Sequence, residues 1–252
     1  MKRRFKETQS ELSSNVISES KTSEEGEKLS VDDDQLVSSL KVSLADKVAE
    51  YLREAIFRGK IAPGEQLREV PLSQALGISR GPIRDAFSKL EREGLVTIPR
   101  NGRTIVARLT REDFDEVYSL RMGLERVAMQ YVIRNGTPAD LDDMQRIVNV
   151  MVGQVNQDIT EKDAADLDLE FHDVIYAASQ HKRLQSVWAD LRPQIYLFLL
   201  SRNVADSDFR VQMVRHQAII DVIRSGDEQE AMECIEEHIK FAYNRIIKIY
   251  AT

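Results

Sequence analysis

The chain has 252 residues, 31% of them charged, with a formal net charge of −7 and a single cysteine. That length leaves room for two domains, each with its own core, and one cysteine excludes an internal disulfide framework. No apolar run approaches the ~20 residues needed to span a membrane, and the overall acidity argues on its face against a nucleic-acid partner.

The distribution of charge reverses that last reading. Residues 1–40 carry −3, residues 41–108 carry +5 and residues 109–252 carry −9. Only the middle segment offers the local cationic footprint that a phosphate backbone attracts. Met1-Lys-Arg-Arg is basic, but no apolar core follows it, so it does not read as a secretory signal, and the expected compartment is the cytoplasm. Residues 1–40 are rich in Ser, Glu and Lys and include the charge run Asp32-Asp33-Asp34; they are expected to be a disordered tail.

The first helix is expected from Leu44 to Arg58, where Val48, Tyr51, Leu52, Ile56 and Phe57 repeat at helical spacing. Gly59 and Pro63-Gly64 end it. A short second helix follows, roughly Val70 to Leu76. In the segment 76-LGISRGPIRDAFSKLEREGLV-96, Gly77 suits a tight turn, Ser79 an N-cap, and Pro82 the first helical turn. Ile83, Phe87, Leu90 and Leu95 repeat on one face, while Arg80 and Arg84 share another near the helix start. An apolar back with two arginines at the leading end suits a DNA major groove. After Gly94, Val96-Thr97-Ile98 and Thr104 to Arg108 alternate as strands around Asn101-Gly102, a strong hairpin signal. Arg100 and Arg103 flank that tip, so the wing has cations of its own.

This block resembles the DNA-binding domain of GntR-type bacterial transcription regulators. The family motif stands as Ser79, Arg80, Gly81, Pro82, Ile83, Arg84, Asp85, Ala86, preceded by 56-IFRGKIAPGEQLRE-69. The resemblance implies DNA contacts from Arg80, Gly81, Arg84 and the wing residues Arg100, Asn101, Gly102 and Arg103. In the FadR branch a further DNA-contacting arginine opens the second helix; Val70 stands at that position here.

Everything after Thr110 has a helical pattern. Thr110 with Asp113 forms a capping-box variant, followed by a stripe read as Val117, Leu120, Leu124, Ala128 and Val132. Further helices are expected from Thr137, from Glu161 to Ala178, through Leu184, Val187, Leu191, Ile195 and Leu199, from Asp206 to Arg224, and from an Asp227/Glu230 cap to near Tyr250. The expected fold is mainly α. A disordered tail (1–40) precedes a winged helix-turn-helix with a small β wing (41–109), and an all-α helical bundle follows (110–252).

Three of the four histidines, His172, His216 and His238, sit beside apolar positions in this bundle, and Asp168 precedes His172 by one turn. Three imidazoles and a carboxylate that converge would bind a transition metal. On spacing alone, a histidine on an apolar face is more often a hydrogen-bonded core residue. The segments 168-DLEFHDVIY-176, 216-HQAIIDVIRSGD-227 and 231-AMECIEEHI-239 resemble the ligand-bearing motifs of the FCD effector domain, the partner of GntR modules in the FadR branch. The resemblance implies a divalent metal on Asp168, His172, His216 and His238: zinc first, with nickel, manganese or iron tolerated. It also implies a small organic or sugar acid as effector. Arg121 matches a basic position of that domain and could clamp the acid, or could instead pair with Glu125 four residues on. Arg192 and Tyr196 are further candidates for the pocket wall. His181 is expected at the surface and Cys234 to be inert.

The implied protein is a regulator that binds a near-palindromic operator as a homodimer. The alternative is a metal-dependent hydrolase or oxygenase with a fused DNA-binding head, which would need a general base such as Glu170 or Asp173.

Overall fold

The computed structural model describes residues 31–100, 102–154, 159–200 and 206–248, and the chain divides into two compact units, Met1–Arg108 and Leu109–Thr252. The first holds α1 (Val31–Phe57), β1 (Gln66–Leu67), α2 (Glu69–Leu76), α3 (Arg80–Arg92), β2 (Val96–Thr97) and β3 (Thr104–Val106). The second holds α4 (Arg111–Asn135), α5 (Pro138–Gln154), α6 (Glu161–Ala178), α7 (Lys182–Leu200), α8 (Asp206–Ser225) and α9 (Glu228–Ile246).

In the first unit α1 packs on α3 and α2 on α3. Ile83, Ala86, Phe87 and Leu90 form the buried face of α3 and meet Val48, Ala49 and Leu52 of α1 in the core. Each large side chain buried in this way contributes roughly 1.5–3 kcal/mol. Arg53 donates to both carboxylate oxygens of Glu93 at 2.8 and 2.6 Å, fastening α1 to the residue that ends α3. Gly77 turns α2 into α3 at φ 64°, a left-handed conformation that costs glycine little. Ser79 stands at the N-cap of α3 with extended backbone, but its hydroxyl makes no capping hydrogen bond.

Two observations correct the sequence reading of this unit. The first helix begins at Val31, not Leu44, so residues 31–40 are helical and not tail. No glycine or proline stands between Val31 and Phe57 to stop a helix, and the polar composition that suggested disorder does not itself break one. The wing has a third strand. The sheet order is β1-β3-β2, all antiparallel, with Gln66 opposite Ile105 and Val96 opposite Val106. β1 is only two residues long, too short for a period-2 signal.

In the second unit the predicted caps at Thr110 and Asp227 are present, and Thr160 supplies one that was not predicted. Thr110 and Asp113 form a reciprocal capping box on α4, Thr160 accepts from the Asp163 amide on α6, and Asp227 accepts from the Glu230 amide on α9. The last helix stops at Ile246; Tyr250 lies outside the described residues. α4 contacts α6, α7, α8 and α9, so its buried face is where residues of four neighbours meet. That face is Phe114, Val117, Tyr118, Arg121, Glu125, Ala128, Met129 and Val132. The stripe read from the sequence is therefore corrected at two places. Leu120 is 48% exposed and Leu124 is not buried, because the true stripe is centred on two charged residues that a search for apolar side chains passes over. Val187 on α7 is likewise outside the core.

Candidate functional site

In the first unit Arg80 and Arg84 project from the start of α3 and are exposed, as are Arg100, Gly102 and Arg103 of the wing. Gly81 is half-buried against the helix start. Arg84 Nε stands 3.9 Å from Glu69 Oε2, an open ion pair that solvent screens. Gly102 has φ 70°, as the hairpin tip requires. Asn101 lies outside the described residues.

The second unit brings Asp168 and His172 of α6, His216 of α8 and His238 of α9 together. One ligand atom from each lies within 4.8 Å of all the others, and all four residues are buried. Asp168 and His172 share a face because i and i+4 stack along a helix. His172 Nε2 is 3.2 Å from His238 Nε2, and His216 Nε2 is 3.4 Å from Asp168 Oδ1.

Two charged residues from α4 complete the cluster. Arg121 Nε donates to Glu125 Oε1 at 2.8 Å, and Glu125 Oε2 accepts from His172 Nδ1 at 2.7 Å. A carboxylate only accepts, so His172 Nδ1 carries a proton, and in the neutral imidazole Nε2 would present the lone pair. Glu125 thus orients a ligand, a role the sequence reading missed. Only its spacing from Arg121 was legible, and that pair does form. Arg121 Nη2 is 3.9 Å from Asp168 Oδ2, while neither Nη1 nor Nη2 has a hydrogen-bond partner among the described residues. The guanidinium also lies 5.7 Å from the Tyr118 ring centroid and 5.9 Å from that of Trp188.

These contacts decide the charge states. Burial by itself would raise the Asp168 carboxyl, but the His216 hydrogen bond and the charges of His172, His216 and Arg121 hold it well below the usual carboxylate range. Burial opposes ionisation of Glu125 too; His172 and Arg121 outweigh it and lower its value. Burial, then the neighbouring His216 and His172, push the His238 imidazole well below its ordinary value. Neutral imidazole is the form that binds a metal.

The donor set fits a transition-metal ion. Ligand atoms about 2.1 Å from one tetrahedral ion stand about 3.4 Å apart, and the 3.2 and 3.4 Å separations seen here match that spacing. The His172 and His238 Nε2 atoms face each other at 3.2 Å, a separation that two ligands of one ion, or one hydrogen bond, would give.

The remaining candidates lie elsewhere. Arg192 makes a bidentate pair with Asp173 at 2.9 Å, and Asp173 also accepts from Trp188 Nε1 at 2.7 Å. Tyr196 is buried toward Asp166 and Lys162; burial, then the Asp166 hydrogen bond, push its phenol up to about 12. Neither touches the four ligand residues in any contact described. Of the two carboxylates considered as bases, Glu170 pairs with Arg146 at 3.0 Å and Asp173 is held by Arg192 and Trp188, so both are committed to other partners. His181 is half-buried, not a free surface residue: its Nδ1 accepts from the Leu184 amide at the start of α7. Burial and nearby Glu237 and Glu230 raise the Cys234 thiol, which keeps it unreactive.

A winged helix-turn-helix with exposed arginines, joined to a helical bundle with a buried His/Asp cluster, defines a DNA-binding regulator that carries a second, non-DNA-binding domain. The family models agree. Residues 44–106 match the bacterial regulatory proteins of the gntR family and residues 116–241 match the FCD domain. The chain belongs to the GntR family of transcription regulators and has an FCD domain after its DNA-binding head. It is 26% identical over 188 residues to the HTH-type transcriptional regulator YdhC of Bacillus subtilis, covering 74% of this chain and 84% of the relative. It is 25% identical over 211 residues to the gluconate operon transcriptional repressor of the same organism, covering 82% and 86%. Among solved structures, Escherichia coli McbR/YncC superposes with a TM-score of 0.70 at 20% identity, over 83% of this chain and 99% of that one. Among the described residues no helix is long and apolar enough to cross a membrane.

Proposed function

We propose that this regulator binds a near-palindromic operator as a homodimer, and that a small carboxylic acid bound at a metal ion in the FCD domain modulates its DNA affinity. The observation that carries the reading is the buried cluster of Asp168, His172, His216 and His238 with the unpaired Arg121 nitrogens beside it. With neutral imidazoles, Arg121, Glu125 and Asp168 leave the cluster one negative charge. A divalent ion turns this to one positive charge, and a monocarboxylate brings it to zero, the only state that is inexpensive to bury. Zinc is the first choice of ion, with nickel, manganese or iron tolerated by this donor set.

Arg80, Arg84 and the wing residues Gly81, Arg100, Asn101, Gly102 and Arg103 supply the DNA contacts in this reading, acting in the cytoplasm. A two-fold dimer puts two such heads in successive major grooves. Leu120 and Val127 on α4 and Val187 on α7 are 48%, 38% and 43% exposed in the single chain, apolar surface that such a dimer would cover. The acid shifts DNA affinity by as much as its own affinity differs between the two states of the dimer.

The test is the metal content of the purified protein by mass spectrometry, with thermal shift on added organic acids. Native protein should hold about one divalent ion per chain and be stabilised by acids only when the ion is present. His216→Ala should lose most of the ion and the acid response together. Unchanged metal content in His216→Ala would refute the assignment.

A further inference from the structure

Tyr176 lies on α6 one turn beyond His172 and two beyond Asp168, so the three side chains follow one another along the same face. Its hydroxyl is buried and has no hydrogen-bond partner among the described residues. A buried unsatisfied hydroxyl costs about 1–3 kcal/mol, and folded proteins rarely keep one without a use. Its ring stacks on Trp188 at a centroid distance of 4.3 Å and an interplanar angle of 11°. The same indole lies 5.9 Å from the Arg121 guanidinium and 6.4 Å from the His172 ring. Burial, then Glu125, push the phenol far above its ordinary value, with Arg121 opposing, so the hydroxyl stays protonated. It is a buried donor one helical turn from His172 that no described residue uses.

We infer that the Tyr176 hydroxyl is a specificity-determining donor for the effector, and that the effector is a monocarboxylate with a second, neutral oxygen, a hydroxyl or a carbonyl. This rests on the acid-binding reading above and adds a second point of recognition to it. The carboxylate goes to the ion and to the free Arg121 nitrogens; the second oxygen accepts from Tyr176. A second carboxylate is disfavoured there, because the cluster is already neutral once the ion and one carboxylate are bound. A site that offers a buried donor rejects an analogue lacking the acceptor, since the donor is then left unpaired.

The experiment uses full-length protein loaded with zinc and acids in matched pairs that differ by hydroxyls: glycolate against acetate, 4-hydroxybutyrate against butyrate, gluconate against hexanoate. Affinities come from calorimetry and from fluorescence of Trp188, the chain's single tryptophan. Wild type should favour the hydroxylated member of at least one pair by about tenfold or more. Tyr176→Phe keeps the ring stacked on Trp188 and removes only an unsatisfied hydroxyl, so the acid-free protein should melt no lower than wild type. That variant should lose most of the preference and keep its affinity for the plain acid. A preference that survives intact in Tyr176→Phe, which is what chelation by the ion alone would give, overturns the inference and leaves the acid site standing. Failure of every acid to bind zinc-loaded wild type overturns both.

Discussion

Replacing Glu125 by Gln probes how one carboxylate supports two jobs. Glu125 accepts from Arg121 Nε at 2.8 Å and from His172 Nδ1 at 2.7 Å, with all three residues fully buried. An amide offers one acceptor oxygen and one NH2 group. If the oxygen turns to Arg121, the NH2 faces the His172 donor; if it turns to His172, the NH2 faces Arg121. In the second case Arg121 loses a charge-assisted hydrogen bond of about 1.5–3 kcal/mol; in the first, His172 keeps a partner only by moving its proton to Nε2, the atom a metal would need. The guanidinium also loses its nearest countercharge and keeps only Asp168 at 3.9 Å. A net loss of about 3 kcal/mol is expected, which lowers the Tm of a unit this size by about 10 °C. The His172 proton is no longer fixed on Nδ1, so metal affinity should fall about 10- to 100-fold. Thermal melts of metal-free protein read the first effect, and competition with a chromophoric zinc chelator reads the second. Glu228→Gln, which touches only the exposed pair with Arg134, is the control and should change stability by less than about 1 kcal/mol. A Glu125→Gln protein with wild-type Tm and zinc affinity within about threefold of wild type would refute the reasoning.

Three further outcomes are expected. The metal-free protein should lose stability as pH falls from about 6.5. His238 has a folded value depressed well below the ordinary histidine value of about 6.5, so the unfolded chain takes up a proton there that the folded chain refuses, at a slope of up to about 1.4 kcal/mol per pH unit. Asp168 and Glu125, also depressed, steepen the loss below about pH 4; equal Tm values at pH 7.5 and 5.5 would contradict the His238 assignment. Arg84→Ala should weaken binding to a selected duplex by ~1–3 kcal/mol if Arg84 reads a base, whereas Arg100→Ala should lower the salt slope on any duplex by about one unit if it meets phosphate; fluorescence anisotropy over a salt series separates these, and unchanged curves would remove either residue from the interface. Gly77→Ala places a Cβ in open space but on a backbone at φ 64°, so it should cost the DNA-binding unit about 1–2 kcal/mol through conformation alone; an unaltered melt would show that the α2–α3 turn relaxes.

How legible each part was from sequence depends on whether its signal is local. The helix-turn-helix was legible because its turn, its core spacing and its arginines all lie between Gly77 and Leu95. The caps at Thr110 and Asp227 were legible because a cap is set within four residues. The four clustered residues could be singled out because two share a helix face, all sit beside apolar neighbours, and their segments resemble FCD motifs, although spacing alone did not separate metal ligands from core histidines. The buried face of α4 was misplaced for a physical reason. Periodicity searches assume that charge points outward, yet Arg121 and Glu125 point into the bundle and are soluble there only because His172 and Asp168 come from another helix to meet them. No window along α4 contains that information. The phase error is itself the signal. A helix whose best apolar stripe leaves Leu120 in solvent, and whose alternative stripe contains an Arg and a Glu one turn apart, is one where charge has been buried against its cost. Such burial needs partners that only the tertiary fold supplies, and the ligand cluster supplies them.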